Sequence, residues 1–242
     1  MPHPAAIKLK ASLRLGRLML SSPRTLAVIR RVRRLKLTYL NIASLTDLAD
    51  AAAGVIRRKV PGSFHEAGCA LGGSAMVIAS VKPADRPFWI YDTFERIPPP
   101  SEKDGQDARD RFRQIEAGEA VGVAGSEYYG YRGDLTREVK DSFAGAGLAV
   151  ESNQILLVKG LFQDTLQIEG PVAFAHLDCD WYDSVMTCLQ RIEPRLSPGG
   201  VLVIDDYEHW SGCRKAVDEY FADKRERYHY TFKTRLHIQR LR

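Results

Sequence analysis

The sequence predicts an α/β fold, a mostly parallel sheet with helices on both faces. Three observations carry this. Apolar stretches of strand length lack polar alternation, as strands buried on both faces do. Segments with apolar residues at helical spacing separate them. The strand-like stretches end on acids, namely Glu66, Asp92, Asp178 and Asp205–Asp206. Ligands of open α/β sheets bind beyond the carboxyl ends of the strands, so this acidic edge is where a site is expected.

Each element follows in order. Leu26, Val28, Ile29 and Val32 alternate with Arg30, Arg31, Arg33 and Arg34 in a basic amphipathic segment. Ser44-Leu-Thr-Asp47 has capping-box spacing, and Leu45, Leu48, Ala52, Val55 and Ile56 continue as a helix that Pro61-Gly62 ends. Ser63–Glu66 is a first strand, a glycine turn follows, and Ala75–Ser80 reads as a helix. Pro87–Asp92 is a second strand. The polar stretch around Pro98-Pro-Pro100 reads as a loop, Gly118–Gly133 as a lid rich in Gly and Tyr, and Leu135–Phe143 as a helix. Ile155–Gly160 and Val172–Asp178 are further strands. The helix face from Tyr182 to Leu196 is stopped by Ser197-Pro-Gly-Gly200, and Gly200–Asp205 is the fifth strand. A helix face at Ala216, Val217, Tyr220 and Phe221 precedes two alternating segments, Tyr228–Thr234 and Leu236–Leu241.

Charge is unevenly placed along the 242 residues, whose formal net charge is +5. The first 40 residues carry ten Lys and Arg and no acid; the remainder carries twenty-five basic against thirty acidic residues. The basic character therefore belongs to an N-terminal arm, which argues against nucleic acid as a partner of the body. The arm suits contact with an anionic membrane surface, packing on its own domain, or packing on a second subunit. It has no signal-peptide apolar run, because Lys8, Lys10, Arg14 and Arg17 interrupt it. Cys69, Cys179, Cys188 and Cys213 form no C-x-x-C pair and read as buried reduced thiols of a cytoplasmic protein.

Three motifs carry chemistry. Glu66-Ala-Gly68-Cys-Ala-Leu-Gly72-Gly-Ser74 is a glycine turn between strand and helix, where backbone can approach a ligand closely. Asp92 closes the second strand 20 residues beyond Gly72, placed to accept from ribose hydroxyls, with Phe94 to lie against a purine. His176-Leu-Asp178-Cys-Asp180-Trp181 and Ile204-Asp205-Asp206-Tyr207 end two strands that would deliver Asp178, Asp205 and Asp206 to one point. Converging carboxylates raise one another's pKa values unless a cation sits among them, and a hard divalent ion such as Mg²⁺ suits such oxygen ligands. Asp180 is placed to take a proton from a metal-polarised hydroxyl.

At these residues the sequence resembles the macrocin- and mycinamicin-type S-adenosylmethionine-dependent sugar O-methyltransferases, a family that includes a novobiocin-pathway relative. The resemblance runs from about Thr38 to Asp218. It rests on Pro61-Gly through Gly72-Gly-Ser74, Tyr91-Asp-Thr-Phe-Glu95 with Pro98-Pro-Pro100, Val158-Lys-Gly through Asp164-Thr165, His176–Tyr182, Pro194–Gly200, and Ile204–Tyr207 with Gly212–Asp218. It implies a Rossmann-like class I methyltransferase with a seven-stranded sheet whose last strand is antiparallel. It also implies a catalytic domain over 41–242 behind the 1–40 helical arm. By resemblance, Asp178, Asp205 and Asp206 hold Mg²⁺ and Asp180 is the general base. Asp92 binds the cofactor ribose, with Thr93 and Phe94 beside it. Glu66, Gly68, Gly72 and Ser74 surround the methionine end, and Gly160 and Phe162 lie near the adenine. Trp181, His209 and Trp210 are candidates to line the acceptor site. The acceptor would be a small molecule or glycan bearing a sugar hydroxyl, and the enzyme a homo-oligomer. Three departures bear on the acceptor pocket more than on the cofactor site: Ala67-Gly68-Cys69-Ala70-Leu71 replaces the family's usual Gly-Val-x-Arg stretch, Arg96 stands where glycine is usual, and Gly118–Gly133 has no clear family counterpart.

Other classes fit less well. Asp178-x-Asp180 resembles the metal pair of nucleotide-sugar glycosyltransferases, which do not need the glycine turn and Asp92. A haloacid-dehalogenase-type phosphatase needs a lysine between its motifs, and none lies between Asp180 and Asp205. A silent adenosine-binding module has no use for the aspartates.

Overall fold

The computed structural model describes Leu13, Arg14, Gly16 and residues 22–241. Lys8, Lys10 and Arg17 of the basic arm lie outside the described residues. Its later part forms α1 (Pro23–Arg34), which buries Leu26, Val28, Ile29 and Val32 and turns Arg24, Arg30 and Arg34 outward. The apolar stripe packs on α3 (Gly73–Val81). Arg33 then donates to the carbonyls of Thr38 (3.2 Å) and Leu40 (2.9 Å), fixing the segment that leads into the body.

α2 (Ile42–Arg57) starts earlier than the capping-box spacing implies. Asn41 is the cap, its side-chain oxygen accepting from the Ser44 N–H at 3.0 Å. Ser44 lies inside the helix. Asp47 points inward instead, accepting from the Thr234 N–H and hydroxyl at 3.0 and 2.9 Å and pairing with Arg14. The free N–H groups of the first turn were met by the nearer oxygen of Asn41, which released Asp47 to tie the helix to a distant hairpin.

The sheet contains β1 (Ser63–Ala67), β2 (Phe88–Asp92), β3 (Ile155–Lys159), β4 (Val172–Leu177), β5 (Leu196–Ile204), β6 (Tyr228–Phe232) and β7 (Leu236–Arg240). Its order is β3-β2-β1-β4-β5-β7-β6, with β1 to β5 parallel and β7 antiparallel to both neighbours. This is the seven-stranded, mostly parallel sheet expected. Order reverses between β1 and β4, which places the switch point beside the glycine turn. Apolar clusters cover both faces, one around Phe64, Phe88, Phe143 and Phe174, the other around Leu189, Leu202, Phe221 and Ile238. β5 begins at Leu196, so Ser197-Pro-Gly-Gly200 enters the strand rather than preceding it. A register shift between Val172 and Phe174 absorbs the irregular start.

The remaining helices are α4 (Gln106–Glu116), α5 (Thr136–Gly145), the one-turn α6 (Phe162–Thr165), α7 (Tyr182–Ile192) and α8 (Ser211–Tyr220). The Gly118–Gly133 segment folds into two short 3-10 turns, Val123–Gly125 and Tyr129–Tyr131. The Lys36 amine reaches the Ala124 carbonyl at 3.3 Å, linking this segment to the end of α1. The four cysteines are free and buried.

The strand ends set the site by register. Ala67 pairs with Leu177, and Leu177 with Ile204, so Gly68, Asp178 and Asp205 emerge side by side. Gly68 has φ +84°, and a Cβ there would lie 1.8 Å from the Asp178 carbonyl oxygen. Gly68→Ala is therefore expected to cost about 2–4 kcal/mol from strained backbone plus overpacking, and to push Asp178 out of line. A denaturant midpoint equal to that of the wild type would refute this.

Candidate active site

A cleft of about 380 Å³ opens along the carboxyl edge of the sheet. It is lined by Gly68, Ser74, Asp92, Thr93, Gly160 and Phe162, and also by Asp178, Asp180, Asp205, Asp206, His209 and Trp210. Thus most of the residues singled out in the sequence share one cavity.

The glycine-turn part of the wall is built around Asp92. Its Oδ2 accepts from the Cys69 and Ala70 N–H groups at 2.7 and 3.0 Å, and its Oδ1 from the Phe94 N–H at 2.7 Å. The Thr93 hydroxyl lies 3.3 Å from the same Oδ1. The acid thus holds the turn in shape as well as lining the cleft, and a carboxylate's roughly four acceptor sites are nearly filled. Four residues expected at ligand-contacting positions lie outside the cleft wall. Phe94 is fully buried among core apolar residues, because φ +51° turns its ring inward. Glu66 is fully buried behind the wall, bonded to His176 Nδ1 at 2.7 Å. Gly72 caps α3 in the left-handed region, against Val139. Trp181 is buried, its indole N–H bonded to the Pro98 carbonyl at 2.9 Å and its ring edge-on to Trp210. These residues shape the wall from behind rather than facing the cavity.

In the same cleft, ligand-capable oxygens of Asp178, Asp180 and Asp206 lie within 4.8 Å of one another. Burial, with repulsion from Asp205 and Asp180, pushes the Asp178 carboxyl well up; burial, with repulsion from Asp180 and Asp178, does the same to Asp206. Asp180 is pushed up to about 7, by burial against a hydrogen bond from Trp210. Its Oδ1 accepts from the Trp210 indole at 2.7 Å, and its own N–H points to Asp206 Oδ2 at 3.3 Å. The backbone at Asp180 is left-handed, φ +55°, a strained state for a non-glycine residue that aims the carboxylate into the cleft. Such a set of carboxylates, Asp206 buried and Asp178 and Asp180 half-buried, calls for protons or a cation, and it fits a hard divalent ion.

Asp205 differs. Burial alone would raise its carboxyl, but a hydrogen bond from His176 and the guanidinium of Arg235 hold it below the usual range. Arg235 Nε is 2.8 Å from Asp205 Oδ1, and His176 Nε2 is 3.5 Å away. His176 is raised to about 9: burial lowers it, and hydrogen bonds to Asp205 and Glu66 more than offset that. His176 thus lies between Glu66 and Asp205 and braces both carboxylates. His176, Asp178 and Asp205 form a second group whose ligand-capable atoms lie within 4.8 Å of one another.

The structure adds residues that sequence reasoning missed. Arg235 is one. Tyr128 and Tyr129 from the Gly118–Gly133 segment, Tyr39 after α1, and Arg111 on α4 also line the cleft. Only the tyrosine-rich composition of 118–133 signalled any of these.

The model of the family described as Macrocin-O-methyltransferase (TylF) matches residues 30–228. The chain belongs to this family. Demethyldecarbamoylnovobiocin O-methyltransferase of Streptomyces niveus is 31% identical over 76% of this chain and 68% of its own length. A tetracenomycin-type 4'-O-methyltransferase of Streptomyces olivaceus, 8-demethyl-8-(2,3-dimethoxy-alpha-L-rhamnosyl)-tetracenomycin-C 4'-O-methyltransferase, is 32% identical over 76% and 67%. The solved structure of the O-methyltransferase NovP superposes with a TM-score of 0.70 at 25% identity, covering 85% of this chain and 83% of that one. This macrocin-type O-methyltransferase is thus an S-adenosylmethionine-dependent enzyme of the Rossmann-like class I fold, and the glycosyltransferase reading gives way. Among the described residues no helix is long and apolar enough to cross a membrane.

Proposed function

We propose that this macrocin-type O-methyltransferase moves the methyl group of S-adenosylmethionine to a hydroxyl of a sugar, or of a sugar-bearing natural product or glycan, with Mg²⁺ required. The observation that carries the proposal is the convergence of Asp178, Asp180 and Asp206 in a cleft that is also lined by the glycine turn and Asp92. Asp178 and Asp206, which share that cluster, and Asp205, which groups with Asp178 and His176, would hold the ion. When bound, Mg²⁺ polarises an acceptor hydroxyl and makes it easier to deprotonate. Asp180 accepts that proton, held in place by Trp210 and by its own strained backbone. His176 and Arg235 keep Asp205 ionised, and His209 and Trp210 flank the acceptor. Gly68, Ser74, Asp92, Thr93, Gly160 and Phe162 are the cofactor side, with Glu66, Gly72 and Phe94 supporting from behind. Catalysis is then mostly alignment and electrostatics.

The rhamnosyl group in the name of the Streptomyces olivaceus relative supports this acceptor class. The proposal includes a cytoplasmic homo-oligomer whose 1–40 arm meets an anionic membrane surface; the outward Arg24, Arg30 and Arg34 of α1 support the last point. The test is chelation. With a panel of sugar acceptors, S-adenosylhomocysteine release should fall at least about tenfold in EDTA and return with added Mg²⁺. Full activity in EDTA would sink the metal assignment.

A further inference from the structure

The cleft is crowded with acids, and of the two arginines that line it Arg111 has no carboxylate of its own among the described residues. Several other cations around the mouth are engaged. Lys159 meets Glu95 and Asp134, Arg132 meets Glu127 and Glu138, Lys103 faces Asp183, and Arg235 sits on Asp205. Arg111 has no such partner among the described residues. Its single hydrogen bond is a long one, 3.5 Å to Gln114 Oε1. Its guanidinium instead rests 5.5 Å from the centroid of the Tyr128 ring. If Arg111 served only to neutralise the aspartates it would lie on one of them, as Arg235 does at 2.8 Å.

Its platform is fixed. Just before α4, Asp104 accepts from the Tyr182 N–H at 2.7 Å, at the start of α7. Asp107, in the first turn of α4, accepts from the Ser211 N–H at 2.8 Å and hydroxyl at 2.7 Å, at the start of α8. Gly105 is in contact with the same serine, since a Cβ there would lie 2.1 Å from Ser211 Oγ. α4 is thereby tied to the two helices that follow the aspartate strands. Arg111 lines the same cavity as Asp180, and its field reaches Asp180, Tyr39 and Tyr128. A guanidinium resting over an aromatic ring keeps its fork of N–H donors available, and that fork matches phosphate and carboxylate oxygens.

We propose that Arg111 reads an oxyanion on the acceptor, so that the preferred substrate is a charged sugar: one carrying a phosphate ester, as in a nucleotide-linked sugar, or a carboxylate, as in a uronic acid. The inference rests on the methyl-transfer reading of this cleft and adds the acceptor's charge to it. A neutral glycoside offers Arg111 only uncharged hydroxyl acceptors, whereas an oxyanion makes the stronger charge-assisted bonds.

Calorimetry on the full chain tests it, with Mg²⁺ present, using uridine diphosphate, methyl glucuronide and neutral methyl glucoside as probes. At least one charged probe should bind ten times or more tighter than methyl glucoside. Arg111→Gln should remove that preference, and Arg111→Lys should restore part of it. Preference for uridine diphosphate identifies a phosphate, preference for the glucuronide a sugar acid. Equal binding of charged and neutral probes overturns the inference, as does a preference that persists in Arg111→Gln. A parallel titration with S-adenosylhomocysteine separates the two readings. If it binds and no charged probe is preferred, this inference alone fails. If it does not bind, the methyl-transfer reading fails, whatever the anion arms show.

Discussion

Replacing Asp178 by alanine should lower methyl transfer by about a thousandfold or more while leaving the metal-free protein at least as stable as the wild type. The two halves have one cause. Asp178 and Asp206 lie with Asp180 inside 4.8 Å, and burial plus mutual repulsion raise both carboxyls. Without a cation this cluster is a cost to the fold, so deleting one member relieves repulsion. With a cation it is a binding site, so deleting one member removes the group that orients and polarises the hydroxyl. A site that destabilises the empty protein is the usual sign of selection for function over stability. The second readout is the melting temperature with and without Mg²⁺. A ligand that binds only the folded state stabilises it by mass action, so the wild type should melt higher with the ion and Asp178→Ala should not. Turnover within tenfold of the wild type, or an equal Mg²⁺ shift in both proteins, would overturn the assignment.

Much of this site was legible because the sheet is parallel and its strands are buried on both faces. An apolar run that ends on an acid marks both the strand and its ligand-facing end, and Asp92, Asp178, Asp205 and Asp206 were read in that way. The lateral neighbours were not legible. Arg235 meets Asp205 because Ile204 pairs with Leu236 across the antiparallel β5–β7 ladder, and that register has no local sequence signal. Arg111 reaches the cleft only because Asp104 and Asp107 fasten its helix to α7 and α8. The misplacements have equally local reasons. Phe94 follows an acid and looked free to meet a base, but its positive φ sends the ring into the core. Trp181 sits between motif residues, yet the Pro98 carbonyl captures its indole N–H behind the wall. Asn41 lay nearer than Ser44 to the true start of α2, a difference that capping-box spacing alone does not decide.

Asp180→Asn should lower turnover by about 10²–10⁴-fold with affinity for S-adenosylhomocysteine retained. Asparagine keeps the shape and the acceptor oxygen for the Trp210 indole, 2.7 Å away in the wild type, but cannot take a proton. Asp180 also lies among the carboxylates that could hold the ion, so loss of rate alone would not separate a base from a ligand. Acceptor acidity does. With a base, the defect depends on how hard the proton is to remove, and it should shrink for an acceptor made more acidic by fluorine on the neighbouring carbon. With a ligand, the ion's affinity falls and the defect is the same for both acceptors. The variant should therefore keep the Mg²⁺-dependent rise in melting temperature and regain part of its rate on the fluorinated acceptor. Trp210→Phe offers the complementary case. It leaves the carboxylate but removes the donor that aims it, so its defect should be smaller, about tenfold to a hundredfold, and should narrow little with acceptor acidity. An Asp180→Asn defect that is the same for both acceptors and comes with a lost Mg²⁺ shift would make Asp180 a metal ligand and leave the base to be sought elsewhere in the cleft.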